Sequence, residues 1–116
     1  MITNVTRNSL IARRVTVADG FGARLKGLLG RAGLGPEEAL VITRCQQIHM
    51  FCMRFAIDVI FVDGDNRVVG LVRNIRPYGL SPIFWKAQYA VELAAGIIDS
   101  SRTQVGDLLK SDKTVS

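Results

Sequence analysis

The chain has 116 residues, 48% of them hydrophobic and 22% charged, with 15 Lys plus Arg against 10 Asp plus Glu and a formal charge of +5. A chain of this length buries roughly two thirds of its unfolded surface, so one compact domain forms without a disulfide or metal staple. Its 11 Gly and 3 Pro exclude collagen-like and disordered classes. No apolar run approaches the ~18 residues of a membrane-crossing helix. Asn4, Thr6, Arg7 and Asn8 stand where a signal peptide needs its apolar core, so a cytoplasmic location is expected.

The basic excess sits at the start. Residues 1–31 hold Arg7, Arg13, Arg14, Arg24, Lys26 and Arg31 against Asp19 alone, while the remaining acids and bases cancel. Such a cluster attracts phosphates or an acidic partner. Without a recognisable nucleic-acid motif it reads as a solvated basic face, and nucleic acid is not the expected partner.

In chain order, residues 9–17 alternate loosely and suit a first or edge strand. Asp19 offers an N-cap before Phe21, Leu25, Leu28 and Leu29, whose spacing places them on one side of a short helix over about residues 20–30. Gly30, Gly33, Gly35 and Pro36 end it. Arg24 and Arg31 share a side of that helix and can converge on one acceptor. Residues 39–43 predict a buried strand. From residue 48 to 62 the alternation leaves both faces largely apolar, which predicts an interior ribbon whose later part is a central strand. The turn at residues 63–66, DGDN, returns the chain through residues 67–73 as a hairpin.

Residues 76–85 form a loop with Tyr78, Phe84 and Trp85, either a local packing core or a binding lip. Residues 89–94 alternate as a further strand ended by Gly96, residues 97–102 fit one helical turn, and residues 105–109 fit a last strand entered through Gly106 and Asp107. The domain is expected to run over residues 1–110, with residues 111–116 a disordered tail.

The polar residues decide the chemistry. Cys45, His49 and Cys52 supply three donors where zinc takes four, and in a regular strand Cys52 faces away from the other two. Neither metal nor a disulfide is expected, because the two cysteines would stand roughly 20 Å apart in an extended ribbon. His49, the single histidine, fits a hydrogen-bonded structural group or a binding-site donor. Asp58 is the sharper oddity, because an unpaired carboxylate in the apolar run 55–62 costs several kcal/mol. It needs a partner, from a loop or an arginine. Residues 63–66 lack the ligand spacing of a calcium loop, and the glycines between 27 and 35 match neither a phosphate loop nor a dinucleotide fingerprint. No cofactor is expected.

The stretches RLKGLLGR at 24–31, IHMFCMRFAIDVIFVD at 48–63, VELAAG at 91–96 and GD at 106–107 resemble the domain of unknown function 192 family. Its pattern runs RxxGLMGR, a segment like IHTFFMRFPIDVVFLD, LELxAG and GD in the same order, across about residues 10–110. Met50 replaces Thr, Cys52 Phe and Ala56 Pro, so the pattern asks for no thiol. The resemblance implies a β-rich α+β domain, a small mixed, curved or barrel-like sheet carrying one short helix, with no established activity. Its motif positions here include Arg24, Gly27, Gly30, Arg31, His49, Arg54 and Asp58, with Glu92, Gly96, Gly106 and Asp107 as later structural positions.

The expected function is a non-catalytic binding module for a small anionic ligand or a peptide segment. Arg24, Arg31, His49, Arg54, Asp58, Tyr78 and Trp85 are its candidate site residues. One alternative is a small hydrolase or transferase in which Asp58 orients His49, which requires the two to meet in an open pocket. The other is a basic surface docking on nucleic acid, whose binding weakens steeply with salt.

Overall fold

The computed structural model describes residues 1–19, 33–50 and 53–112. Among the described residues eight strands and one short helix follow one another: β1 (Ile2–Asn4), β2 (Ser9–Ala12), β3 (Arg14–Ala18), β4 (Glu38–Thr43), β5 (Ile57–Val62), β6 (Val68–Ile75), β7 (Tyr89–Ala94), α1 (Ile97–Ser100) and β8 (Leu109–Ser111). They build two sheets, one in the order β2-β1-β8 and one in the order β3-β4-β7-β5-β6. All pairings are antiparallel except β3 with β4. A parallel pair needs a long crossover, and the chain from Asp19 to Glu37 supplies it. The helix expected over residues 20–30, with Arg24, Gly27, Gly30 and Arg31, lies outside the described residues.

The mixed, β-rich architecture agrees with the sequence reading, and the two sheets do not close into a barrel. Strands β4, β5 and β7 are apolar on both faces because both faces of the large sheet are covered. Ile60, Val62, Val91, Leu93 and Val41 join Ile2, Ile11, Leu109 and Ile98 in one core, which places the three-stranded sheet and α1 on that side. Ile57, Val59, Phe61, Leu40 and Ile42 join Ile48, Met50, Met53 and Ala87 in a second core on the other side. No described helix is long and apolar enough to cross a membrane.

Four boundaries differ from the sequence expectation. Residues 9–17 break into β2 and β3, which belong to different sheets. Of the ribbon expected from residue 48, the described strand is β5, which starts at Ile57. The last strand begins at Leu109 instead of residue 105 and uses Ser111, which the sequence assigned to a tail. Strand β1 carried too few residues to be read at all. It exists because both its edges are paired, Thr3 with Leu10 on one side and with Lys110 on the other.

The chain ends are tied by a buried polar knot. One Asp107 oxygen accepts hydrogen bonds from Asn4 Nδ2 at 2.9 Å, Arg7 Nε at 3.1 Å and the Gln104 amide at 2.9 Å. Asn4 Nδ2 also reaches Thr103 Oγ1 at 3.1 Å, and the Thr103 and Ser101 hydroxyls are 2.7 Å apart. Burial opposes the charge on Asp107, but the Arg7, Asn4 and Gln104 donors outweigh it and hold the carboxyl below its ordinary 3.8. Because the folded value lies below the unfolded one, this stabilisation is complete above about pH 5 and disappears as the pH falls through the folded value. Thermal melts from pH 7 to pH 2.5 should therefore show an acid limb that Asp107→Asn flattens, with a neutral-pH cost of about 2 kcal/mol. An unchanged limb in Asp107→Asn would assign acid lability to other carboxylates.

Candidate functional site

The second core is covered by two irregular segments zipped together. The Met50 amide donates to Gly79 O at 2.9 Å, Tyr78 to Met50 O at 3.0 Å, Ser81 to Ile48 O at 2.9 Å and Phe84 to Gln46 O at 2.8 Å. Side chains close the remaining gaps, with Ser81 Oγ accepting from the Ile48 amide at 2.9 Å and Gln46 Nε2 donating to Trp85 O at 2.8 Å. This corrects the expected interior ribbon. The alternation of residues 48–50 is real, Ile48 and Met50 buried and His49 half-exposed. Its partner, however, is the 78–84 loop, and the segment is a lid on the sheet instead of a strand within it.

Phe84 pins the lid. Its ring lies 4.5 Å from the Phe61 ring, centroid to centroid, and directly over Gly70 on β6. A Cβ on residue 70 would come within 2.3 Å of that ring, so glycine is required there by close approach. With Phe84 turned inward, its neighbours Ile83 and Trp85 face out, Trp85 with 75% of its surface exposed. At the other end of the loop Tyr78 is 74% exposed and sits at φ 65°, a left-handed backbone conformation that is costly for a bulky side chain. Leu80 is exposed as well and pairs with His49 across an antiparallel bridge, which puts the imidazole and Leu80 on the same outer side.

The sequence on either side of this rim is basic, although Arg73 turns to Asp99 on α1 and Arg67 donates to Gly106 O at 3.3 Å, away from the lid. Between Asp65 and Glu92 the chain carries Arg67, Arg73, Arg76 and Lys86 and no acid, and between Glu38 and Asp58 it carries Arg44 and Arg54 and no acid. Arg44 pairs with Asp19 and Arg73 with Asp99, both exposed pairs. Among the described residues no ion pair involves Arg54, Arg76 or Lys86, all exposed. Hydrogen bonds from Thr43 and Arg44 hold the Asp19 carboxyl below its ordinary range, so its charge persists beside Arg44.

Of the candidate site residues, His49, Tyr78 and Trp85 are thus brought into one lid. Arg54 is exposed near the end of the same segment, and Arg24 and Arg31 lie outside the described residues. Asp58 stands elsewhere. It is 1% exposed and shares its face of β5 with Ile60 and Val62, toward the first core, opposite the face that the lid covers. Its Oδ1 accepts from the Asn74 amide at 2.9 Å, and its Oδ2 from Gly96 at 3.0 Å and Ile98 at 2.9 Å. Asn74 and Gly96 both have positive φ, 53° and 100°, so the carboxylate holds a bend of β6 and the entry to α1 in place. The partner is backbone from the bend of β6 and the start of α1, and no described arginine reaches it. Glu92, also a motif position, is fully buried on the central strand β7 in register with Leu40 and Val59. Among the described residues no three His, Cys, Asp or Glu side chains gather in a metal-holding arrangement, and the Cys45 thiol donates to Gln47 O at 3.3 Å.

The sequence reading missed Leu80, Ile83 and Lys86 as rim residues. The available signal was the acid-free stretch with apolar residues spaced two apart around Phe84.

Comparison with known proteins places this architecture among relatives. A UPF0127 protein of Thermococcus sibiricus is 34% identical over 111 residues, covering 92% of this chain and 71% of the relative. UPF0127 protein PH1112 of Pyrococcus horikoshii is 34% identical over 116 residues, covering 95% of this chain and 97% of its own. The fold is similar to the crystal structure of a protein of unknown function from Novosphingobium aromaticivorans DSM 12444, with a TM-score of 0.76 at 24% identity, covering 95% of this chain and 81% of that one. The family model DUF192, described as Uncharacterized ACR, COG1430, matches residues 2–111, and the RLKGLLGR-to-GD order falls wholly inside that span. With the motifs, the fold and the relatives in agreement, the chain belongs to the DUF192 family.

Proposed function

We propose that the protein is a non-catalytic binding module that captures an anionic ligand or an acidic peptide segment on the outer face of the lid. The observation that carries this reading is an anchored loop presenting Tyr78, Leu80, Ile83 and Trp85 to solvent within an acid-free, basic stretch. Exposed apolar side chains grouped on one loop mark an interaction site. Aromatic groups held by a rigid frame supply contact area at low entropic cost, and arginine and lysine select negative charge. The separation of His49 from Asp58 by the sheet supports binding over general acid-base chemistry, which needs the pair within hydrogen-bond reach.

Trp85 is the single tryptophan, so its emission reports on the site directly. Titration with citrate or with poly-L-glutamate at low salt should move its emission to the blue in a saturable way. Lys86→Glu should weaken the poly-L-glutamate response about tenfold by reversing a charge at the rim, while Lys110→Glu on β8, in the other sheet, should leave it unchanged. Tyr78→Gly relieves the left-handed strain and should hold or raise the melting temperature while binding weakens. An emission that neither probe moves, or equal sensitivity to the rim and β8 reversals, sinks the reading.

A further inference from the structure

The exposed edge of β6 lies beside this rim, and its features select one kind of ligand. β6 ends the five-stranded sheet. At its start the outer side is closed, Val68 donating to Asp107 O at 2.9 Å and accepting from the Gly106 amide at 2.8 Å. Near its end the strand bends as the Asn74 amide turns inward to Asp58 on the neighbouring strand β5. Between the closed start and that bend no backbone hydrogen bond from another described segment reaches the outer side of residues 69–73. The register is regular only where Ile60 and Phe61 face Leu71 and Gly70 and Val59 faces Val72, with irregularities on both sides. Bulges, charges and prolines normally protect such an edge. Here the middle of the strand is Val69, Gly70, Leu71 and Val72, with half-buried apolar side chains and neither charge nor proline.

Next to that edge Val69, Ile83, Phe84, Trp85 and Lys86 line a groove of about 290 Å³. That is at the lower end of ligand-pocket volumes and leaves room for an apolar side chain. Arg67 and Arg73 bracket the edge, and Lys86 borders the groove. A second copy of this chain pairing edge to edge would set these cations against their own kind, whereas an acidic segment matches them. Arg73 holds Asp99 in an exposed pair that a ligand carboxylate can replace at little cost.

We infer that β6 takes up a short extended acidic peptide by strand addition, one apolar side chain of the peptide entering the groove beside Trp85 and its carboxylates meeting Arg67, Arg73 and Lys86. This rests on the lid as a binding face and deepens it by naming the ligand class and the mode of capture. In strand addition the main-chain hydrogen bonds supply affinity and alternate side chains supply selection. The peptide therefore presents every second amide to β6 and the others to solvent.

The test uses the full chain and terminally blocked heptapeptides of alternating Val and Glu. Two derivatives carry N-methyl groups on one or the other alternate set of amides. The parent peptide should shift Trp85 emission and bring added exchange protection to the amides of residues 70–73. One N-methylated set should lose binding by about tenfold or more, the loss expected from removing hydrogen bonds, and the other should bind as the parent does. Equal binding by both N-methylated peptides and the parent overturns strand addition and leaves the lid as an anion site. Silence toward the peptides together with a response to citrate does the same. Silence toward every acidic probe overturns both readings. A response to oligothymidylate in place of the peptide assigns the surface to nucleic acid and overturns the inference.

Discussion

Asp58→Asn is expected to lower the melting temperature by about 10–15 °C, corresponding to about 3 kcal/mol in a domain of this size. The carboxylate accepts from three backbone amides, Asn74, Gly96 and Ile98, in a site 1% exposed. An asparagine side chain keeps one acceptor oxygen and turns an NH₂ group toward the remaining donor. At least one buried N–H is then left facing another donor, a larger cost than the mere loss of a bond. The damage falls on the bend at Asn74 and on the start of α1, so amide exchange at residues 96–101 should quicken first. Urea melts at constant m-value would read the loss as stability. A variant as stable as the parent but altered in its Trp85 response to citrate would instead give Asp58 a functional role and contradict its structural one.

Phe84→Ala should cost about 2–3 kcal/mol, the usual range for removing a large, partly buried side chain. It should also loosen the lid, since Phe84 is the ring that packs at 4.5 Å on Phe61. A sharper result is expected from the pair with Gly70. Gly70→Ala alone drives its Cβ to 2.3 Å from the Phe84 ring and should destabilise by about 1–3 kcal/mol as the ring is displaced. In the Phe84→Ala background the same substitution meets an empty space and should be nearly neutral. The double variant is then more stable than the sum of the two single losses, a coupling that distant sites do not show. Additive losses measured by denaturant melts would mean that the ring does not pin the lid. Calcium, zinc or nucleotide addition enters neither experiment, so both read the protein's own packing.

Some of this was legible beforehand because it depends on local pattern. The double-sided apolar run of β5 announced an interior strand, and the DGDN turn followed by a second apolar run announced the β5–β6 hairpin. The oddity of Asp58 was equally visible, because burial of a carboxylate in such a run demands partners. Its partners were not visible: two amides come from residues 38 and 40 positions further along the chain, and only the sheet brings them together.

The lid shows the same limit from the other side. Residues 48–50 alternate as a strand would, and alternation reports only that one face is covered, not by what. Ser81, Gly79 and Tyr78 supply the hydrogen bonds that a sheet neighbour was expected to supply. Strand β1 was illegible for a related reason, since three residues carry no period and gain their structure from β2 and β8 on either side.

The amino-acid sequence by itself determined a β-rich α+β fold, its central hairpin, its aromatic loop and the buried carboxylate, because each is written in neighbouring residues. Tertiary structure alone decided that His49 and Asp58 serve opposite faces of one sheet, that Phe84 turns inward over Gly70 while Trp85 turns out, and that the chain ends meet at Asp107. The physical reason is that such choices are made by contacts between residues far apart in the chain, whose closure no local propensity records.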